Sequence, residues 1–271
     1  MTTITWDNIG SRYYENGISR GVFYGRDEVA GVAWNGLTSV DDDKVDTTTP
    51  LYFDGFKFGD MVTLGDFQGR LKAFTYPDAF LPYQGVIEAD AGFSLTAQPK
   101  TRSGLCYLTE INNDLGQSIG YKLHILYNLL AIPAQKTYET LSLDNEPIDF
   151  EWDISAIPEE VDNFRPTAYV IIDSRKMDPF LLADIEDILY GTAEDPPKLP
   201  DLNELVSFVK KWGRLVITDN GDGTWTAYTP LLDVITMLDA ESFQIVTDNA
   251  EYLDPDTYEI SSSDKEEIWL P

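Results

Sequence analysis

The sequence predicts a mainly β chain with two short helices at about 178–212. Three observations carry that expectation. Clusters of Gly, Pro, Asn and Asp cut residues 21–173 into short runs of alternating or β-branched character, the punctuation of strands. Apolar residues recur at helical spacing only after Asp173. A hydrophobic fraction of 43% and an aromatic fraction of 13% supply enough apolar surface for a packed core in 271 residues.

In chain order, the segment 51–58 sets Asp54-Gly55 between two aromatic-rich arms and predicts a tight hairpin, because glycine tolerates the positive φ of a primed turn. Residues 67–76 alternate Gln68, Arg70 and Lys72 with Leu71 and Ala73. Tyr121, Leu123, Ile125 and Tyr127 likewise share one side of a strand, so both segments are expected to have one wet and one dry face. Residues 93–98 and 105–111 flank Pro99–Gly104 and predict a second hairpin with a basic tip. Further strands are expected at 136–142, 147–154 and 167–173, and residues 40–50 (VDDDKVDTTTP) as a flexible loop.

Phe180, Leu181, Ile185, Ile188 and Leu189 give the first helix, stopped at Gly191. Asp201 and Glu204 frame a capping-box-like start for the second, with Leu205, Phe208 and Val209 on one face and Gly213 at its end. Strands return at 215–218, 224–228, 243–246 and 257–260. The expected organisation is a β core over 1–175 with an N-terminal arm, a helical segment over 176–213 and a β segment over 214–271 that is either separate or completes the same domain.

Charge excludes several function classes. The 19 basic and 47 acidic residues leave −28, which opposes attraction to nucleic-acid phosphates and anionic lipid. The excess is uneven, 20 acids against 11 bases over 1–150 and 27 against 8 over 151–271. A single cysteine forms no internal disulfide, and a single histidine removes every metal site needing two imidazoles. The N-terminus lacks a basic start followed by an apolar run, and no stretch approaches 18 apolar residues, so neither signal peptide nor membrane span is expected and folding in a cytoplasm is.

Individual residues offer little chemistry. His124 beside Lys122 on an alternating strand reads as a surface histidine, and Cys106 as a small buried thiol rather than a nucleophile. The Asp219–Gly223 turn fails as a calcium loop, because aligning Gly223 with the required glycine puts Thr218 and Thr229 where ligands belong. Carboxylate pairs such as Asp184 with Asp187 are too abundant here to mark a glycosidase. No nucleophile elbow, zinc-protease helix, phosphate loop or dinucleotide fingerprint is present. No catalytic, cofactor or metal residue is therefore assigned. Trp34, Trp152 and Tyr169 are expected to pack against sheet, although the aromatic content also suits a carbohydrate-binding or host-attachment module.

The motifs YYENGISRGVFY at 13–24, GVAWNGL at 31–37, PLYFDGFKF at 50–58, LKAFTYPD at 71–78, GYKLHILY at 120–127 and IDFEWD at 148–153 share an order and spacing. Across most of residues 10–175 the chain thereby resembles major tail proteins of long-tailed, siphovirus-like actinobacterial phages. DIEDILYG at 184–191 and DTYEISS at 256–262 resemble that family less distinctively. The resemblance implies a tail-tube fold, a β-sandwich or barrel whose sheet joins the barrel of a hexameric ring. It implies rings stacked into a virion tube around a tape measure protein, capped by tail terminator and distal tail proteins, and conducting genomic DNA without tight binding. It brings no catalytic residue, cofactor or membrane. An acidic lumen would repel phosphates and let DNA slide. Subunit contacts are expected from the 13–24 arm and the 40–50 segment, with Tyr13, Tyr14, Glu15, Arg20, Asp41, Asp42, Asp43 and Lys44 as candidates.

Overall fold

A computed structural model describes residues 6, 8–26, 30–43, 47–63, 67–134, 136, 138, 148–212, 214–219, 225–229, 232–237, 243–246 and 268–269. The chain is mainly β and divides into two units, 1–203 and 204–271.

The first unit contains β1 (Tyr13–Tyr24), β2 (Val32–Ala33), β3 (Leu37–Asp42), β4 (Thr47–Phe53), β5 (Phe56–Thr63) and β6 (Gln68–Ala73). A 3-10 turn over Asp78–Gln84 leads to β7 (Ile87–Asp90), β8 (Phe93–Leu95), β9 (Ser103–Asn113), β10 (Ser118–Pro133), β11 (Phe150–Ala156) and β12 (Tyr169–Asp173). Helix α1 (Pro179–Tyr190) follows. Helix α2 (Leu202–Lys211) straddles the division. The second unit is an antiparallel sheet ordered β16-β15-β14-β13-β17, from β13 (Arg214–Asp219), β14 (Trp225–Thr229), β15 (Leu232–Met237), β16 (Phe243–Val246) and β17 (Ile268–Trp269).

The main sheet runs β2-β1-β9-β10-β11-β6-β3, with β12 also on β10. Strand β10 serves two partners on one edge. Lys122–Leu126 pair with β12 and Leu129–Pro133 with β11, while the ladder to β9 shifts register between Leu126 and Leu129. Asn128, at φ +50, takes up the change of direction.

Both faces of this sheet are covered. Cys106 opposite Ile125 and Leu108 opposite Leu123 share one face. Helix α1 reaches that face, since the Tyr24 hydroxyl donates to the Leu189 carbonyl at 2.6 Å and the Tyr121 hydroxyl to Glu186 Oε1 at 2.6 Å. The helix forms there because Asp178 accepts from the Phe180 amide, Pro179 fits the first turn, and Gly191 leaves it at φ +79 with its amide on the Asp187 carbonyl. The other face carries Leu105, Tyr107 and Leu126 into the core, with Phe23, Trp34, Phe80 and Trp152. The last four pack ring against ring, at 4.7 Å for Trp34–Phe80 and 5.4 Å for Phe80–Trp152. Their polar edges are answered, Trp34 Nε1 by the Thr75 carbonyl and Trp152 Nε1 by buried Gln84. Cys106 is fully buried and burial pushes its thiol up to about 12, in line with a core role.

Several expectations change. The one-wet-face reading of the strand at 121–127 fails, because the side that carries His124 and Leu126 is buried too, His124 against the Tyr107 and Tyr169 rings and Leu126 in the core cluster. The hairpin expected across Pro99–Gly104 does not form: β8 pairs with β7, and β9 goes to β1 and β10. Residues 40–42 and 47–50 are strand rather than loop, in β3 and β4. Their acids suit β3 because it is an edge strand, where exposed charge discourages unwanted pairing. The strand expected over 147–154 is β11, beginning at Phe150. Most of 136–142, the 257–260 strand and the interior of the Asp219–Gly223 turn lie outside the described residues.

Candidate assembly surface

Hairpin β4–β5 turns where the sequence predicts. Phe53 opposes Phe56 across Asp54 and Gly55, at φ +49 and +81, the paired positive angles of a type I′ turn. Among the described residues the two strands pair only with each other. Leu51, Tyr52, Phe53, Phe56, Phe58 and Met61 are all exposed, Phe56 at 79% and Phe58 at 77%. Phe53 and Phe58 lean edge to face at 5.2 Å, and Lys57 pairs with Asp60 at 2.8 Å. An isolated hairpin is marginal in water, and this one presents apolar side chains on both faces, so it has no core of its own to shield them. Hairpin β7–β8 repeats the theme with exposed Ile87, Phe93 and Leu95. The adjacent aromatics Tyr52-Phe53 lack the alternation of a half-buried strand, a signal present in the sequence.

The contact candidates take different places. Tyr13 and Tyr14 are exposed on β1, with the Arg175 guanidinium 4.5 Å over the Tyr13 ring. Arg175 is itself held by Asp173, whose carboxyl the guanidinium pulls down to about 2. Arg20 sits at φ +49 where β1 slips register against β9, its Nη1 4.0 Å from Glu186. Asp41 and Asp42 lie exposed on β3 and Asp43 just beyond it. Lys44 falls outside the described residues.

Glu15 enters a buried network that sequence reasoning missed. His124, expected on the surface, is only 6% exposed, stacked on Tyr107 at 4.7 Å and 6°. The chain of donors can be read from the carboxylate inward. Thr109 Oγ1 donates to Glu15 Oε1 at 2.6 Å, so it accepts from His124 Nε2–H at 2.8 Å. Nδ1 is then bare and accepts the Tyr169 hydroxyl at 2.6 Å. Lys122 Nζ closes on Glu15 Oε2. Burial depresses the His124 pKa, more than Glu15 restores it. Burial raises that of Glu15, but hydrogen bonds from Lys122 and Thr109 outweigh it and the net shift is down. Burial raises the Tyr107 and Tyr169 phenols first, their mutual hydrogen bond comes next, raising Tyr107 and lowering Tyr169, and the negative charges of Asp42 and Glu15 add smaller upward shifts to both. Of the candidates, then, Glu15 joins this network. The inner end of the network, Tyr169, packs on Phe67 in the core, so the network ties β1, β9, β10 and β12 rather than presenting a reactive atom.

Among the described residues no helix is long and apolar enough to cross a membrane, and no group of three His, Cys, Asp or Glu could hold a metal ion. No protein-family model matches the sequence, and no curated protein matches it. Among solved structures, the chain is similar to the sheath/tube terminator of the extracellular contractile injection system PVC in its extended state, at 11% identity and TM-score 0.30 over 63% of this chain and 99% of that one. It is similar to the tube-terminating cap of the anti-feeding prophage at 13% identity and TM-score 0.29, over 64% and 96%. It is also similar to the PVC sheath–tube complex at 14% identity and TM-score 0.29, over 57% and 88%. TM-scores this low carry no argument about the present chain.

Proposed function

We propose that the chain is a structural, non-catalytic subunit of a siphovirus-type phage tail tube. Hexameric rings stack around a tape measure protein, meet tail terminator and distal tail proteins at their ends, and later conduct genomic DNA. The subunit assembles in the host cytoplasm and ends in the virion tail. In this reading residues 1–175 form the tube core with the β1 arm, 176–213 the helical segment and 214–271 the C-terminal β segment. Tyr13, Tyr14 and the Asp41–Asp43 edge contact neighbouring subunits.

The observation that carries the reading is the exposed β4–β5 hairpin. Six large apolar side chains held in water cost free energy that association recovers, at roughly 25 cal/mol per Å² of apolar area covered. A ring-forming subunit also covers sheet edges with neighbours, which removes a route to aggregation. The resemblance of the motif order to that of major tail proteins supports a tail tube as the assembly.

Negative-stain microscopy of the purified protein tests this directly. Hollow rings or tubes are expected from the unmodified chain, and dispersed particles of unchanged fold from the F56S/F58S double variant. Tubes of normal length from that variant would remove the hairpin from the assembly, and absence of the chain from purified tails would sink the reading.

A further inference from the structure

A second feature of the first unit is independent of assembly. Where β10 changes partner, a cleft of about 280 Å³ opens, lined among others by Tyr127, Asn128, Glu159, Asp201, Arg26 and Arg102. Tyr127 is 3% exposed and its hydroxyl has no hydrogen-bond partner among the described residues. A buried phenol of this kind normally finds one, so an orphan bordering a cleft points to a ligand atom. Burial first, and then the charges of Glu159 and Asp201, keep the phenol protonated and so a donor as well as an acceptor. The Glu159 carboxyl is raised in turn by burial and by Asp201, against the Asn128 hydrogen bond that lowers it. Among the described residues that line the cleft, the positive charges are those of Arg26 and Arg102.

Asn128 keeps the opposite charges apart. Its carbonyl accepts from Arg102 Nη1 at 2.7 Å, while its side-chain amide donates to Glu159 Oε1 at 2.7 Å. Arg102 and Glu159 are thus both anchored without meeting, and among the described residues Glu159 forms no ion pair. The left-handed backbone of Asn128 makes this double role possible and is uncommon for a non-glycine residue, a form of strain that gathers at binding sites. Two carboxylates and two guanidinium groups balance in net charge, so a simple cation gains at one pole what it loses at the other.

We propose that this cleft binds a small zwitterion of the α-amino-acid class, its ammonium at Tyr127, Glu159 and Asp201 and its carboxylate at Arg26 and Arg102. The ammonium brings three donors and no acceptor, which suits two carboxylates and a phenol oxygen; the carboxylate accepts from the guanidinium forks.

The test is titration of the full chain, carrying F56S/F58S so that it stays dispersed, with alanine, propylamine and propionate, followed by amide NMR shifts at residues 102–104, 127–128 and 159. Alanine is expected to bind about tenfold more tightly than either single-charge analogue, and Tyr127→Phe to weaken alanine by about tenfold while keeping the amide spectrum of the fold. Glu159→Gln is expected to act in the same direction. No shift at about 20 mM alanine, or propylamine binding as well as alanine, overturns the proposal. So does unchanged affinity in Tyr127→Phe. None of these outcomes bears on ring formation.

Discussion

The aromatic residues of this protein occupy two opposite settings. Phe23, Trp34, Phe80 and Trp152 lie within the first unit's core, ring against ring. Tyr52, Phe53, Phe56 and Phe58 stand in solvent on a two-stranded hairpin. Similar side chains thus serve two purposes, and the difference lies in what each strand has beside it. Phe23 and Trp152 belong to the sheet and Phe80 to the 3-10 turn, and their rings fill the space between the two, whereas among the described residues the hairpin strands have no third strand. The first set holds the first unit together, and the second is the surface that the proposed function assigns to association.

Breaking the first side of this contrast should give the largest effect. Trp152→Ala removes a fully buried indole and leaves Gln84 without its donor, so a stability loss of about 3–5 kcal/mol is expected by denaturant unfolding. Gly69→Ala should cost about 1–3 kcal/mol, because a Cβ there would stand 1.9 Å from the Asp41 carbonyl oxygen, and that backbone has to move. Hydrogen exchange should then show β3 opening ahead of β6.

A further loss comes from acid. His124 is held neutral in the fold, with its pKa below the ordinary 6.5 of an unfolded chain. The unfolded state therefore takes up the proton first, so stability is full above about 6.5 and falls as pH drops through that value toward the folded pKa. Glu15, also depressed, adds a loss of the same sign as pH falls below 4.5. Unfolding measured from pH 7 to 5 should show the slope in the unmodified chain and a flatter line in His124→Gln; equal slopes would take His124 out of the account. Smallest for stability is the F56S/F58S pair, expected within about 0.5 kcal/mol of the unmodified chain while assembly is lost. If that variant unfolds instead, the two aromatic sets are not separate in function.

What could be read from the sequence follows the range of the interactions involved. The Asp54-Gly55 turn and helix α1 were legible because their causes are local, a pair of turn residues and a set of caps. The burial of His124 was not, since the alternation around it is that of a half-wet strand and its cover comes from Tyr169, a residue 45 positions away in the chain. Residues 93–98 were assigned the wrong partner for a related reason: the true one, Ile87–Asp90, is short and carries two acids, so neither pattern nor propensity announces it. Acid-rich 40–42 looked like loop because edge strands and loops share a taste for charge. Of the contact candidates, Glu15 meets Thr109 and Lys122 only through strand pairing between distant segments, and the local pattern of the hairpin announces its turn rather than its exposed surface.

The pairing of β1 carries a consequence for how the chain comes to be folded. Tyr13 pairs with Asn113, whereas β9 and β10 are joined by a short turn at Asp114–Gly116. The β9–β10 ladder can close early at small entropic cost, but β1 must wait for a partner about a hundred residues further along. During synthesis that interval leaves the arm and the aromatic hairpin emerged together with their sheet unfinished. At the usual 5–20 residues per second the wait lasts on the order of ten seconds, time in which two nascent chains on one message could find each other's hairpins before either has found its own fold.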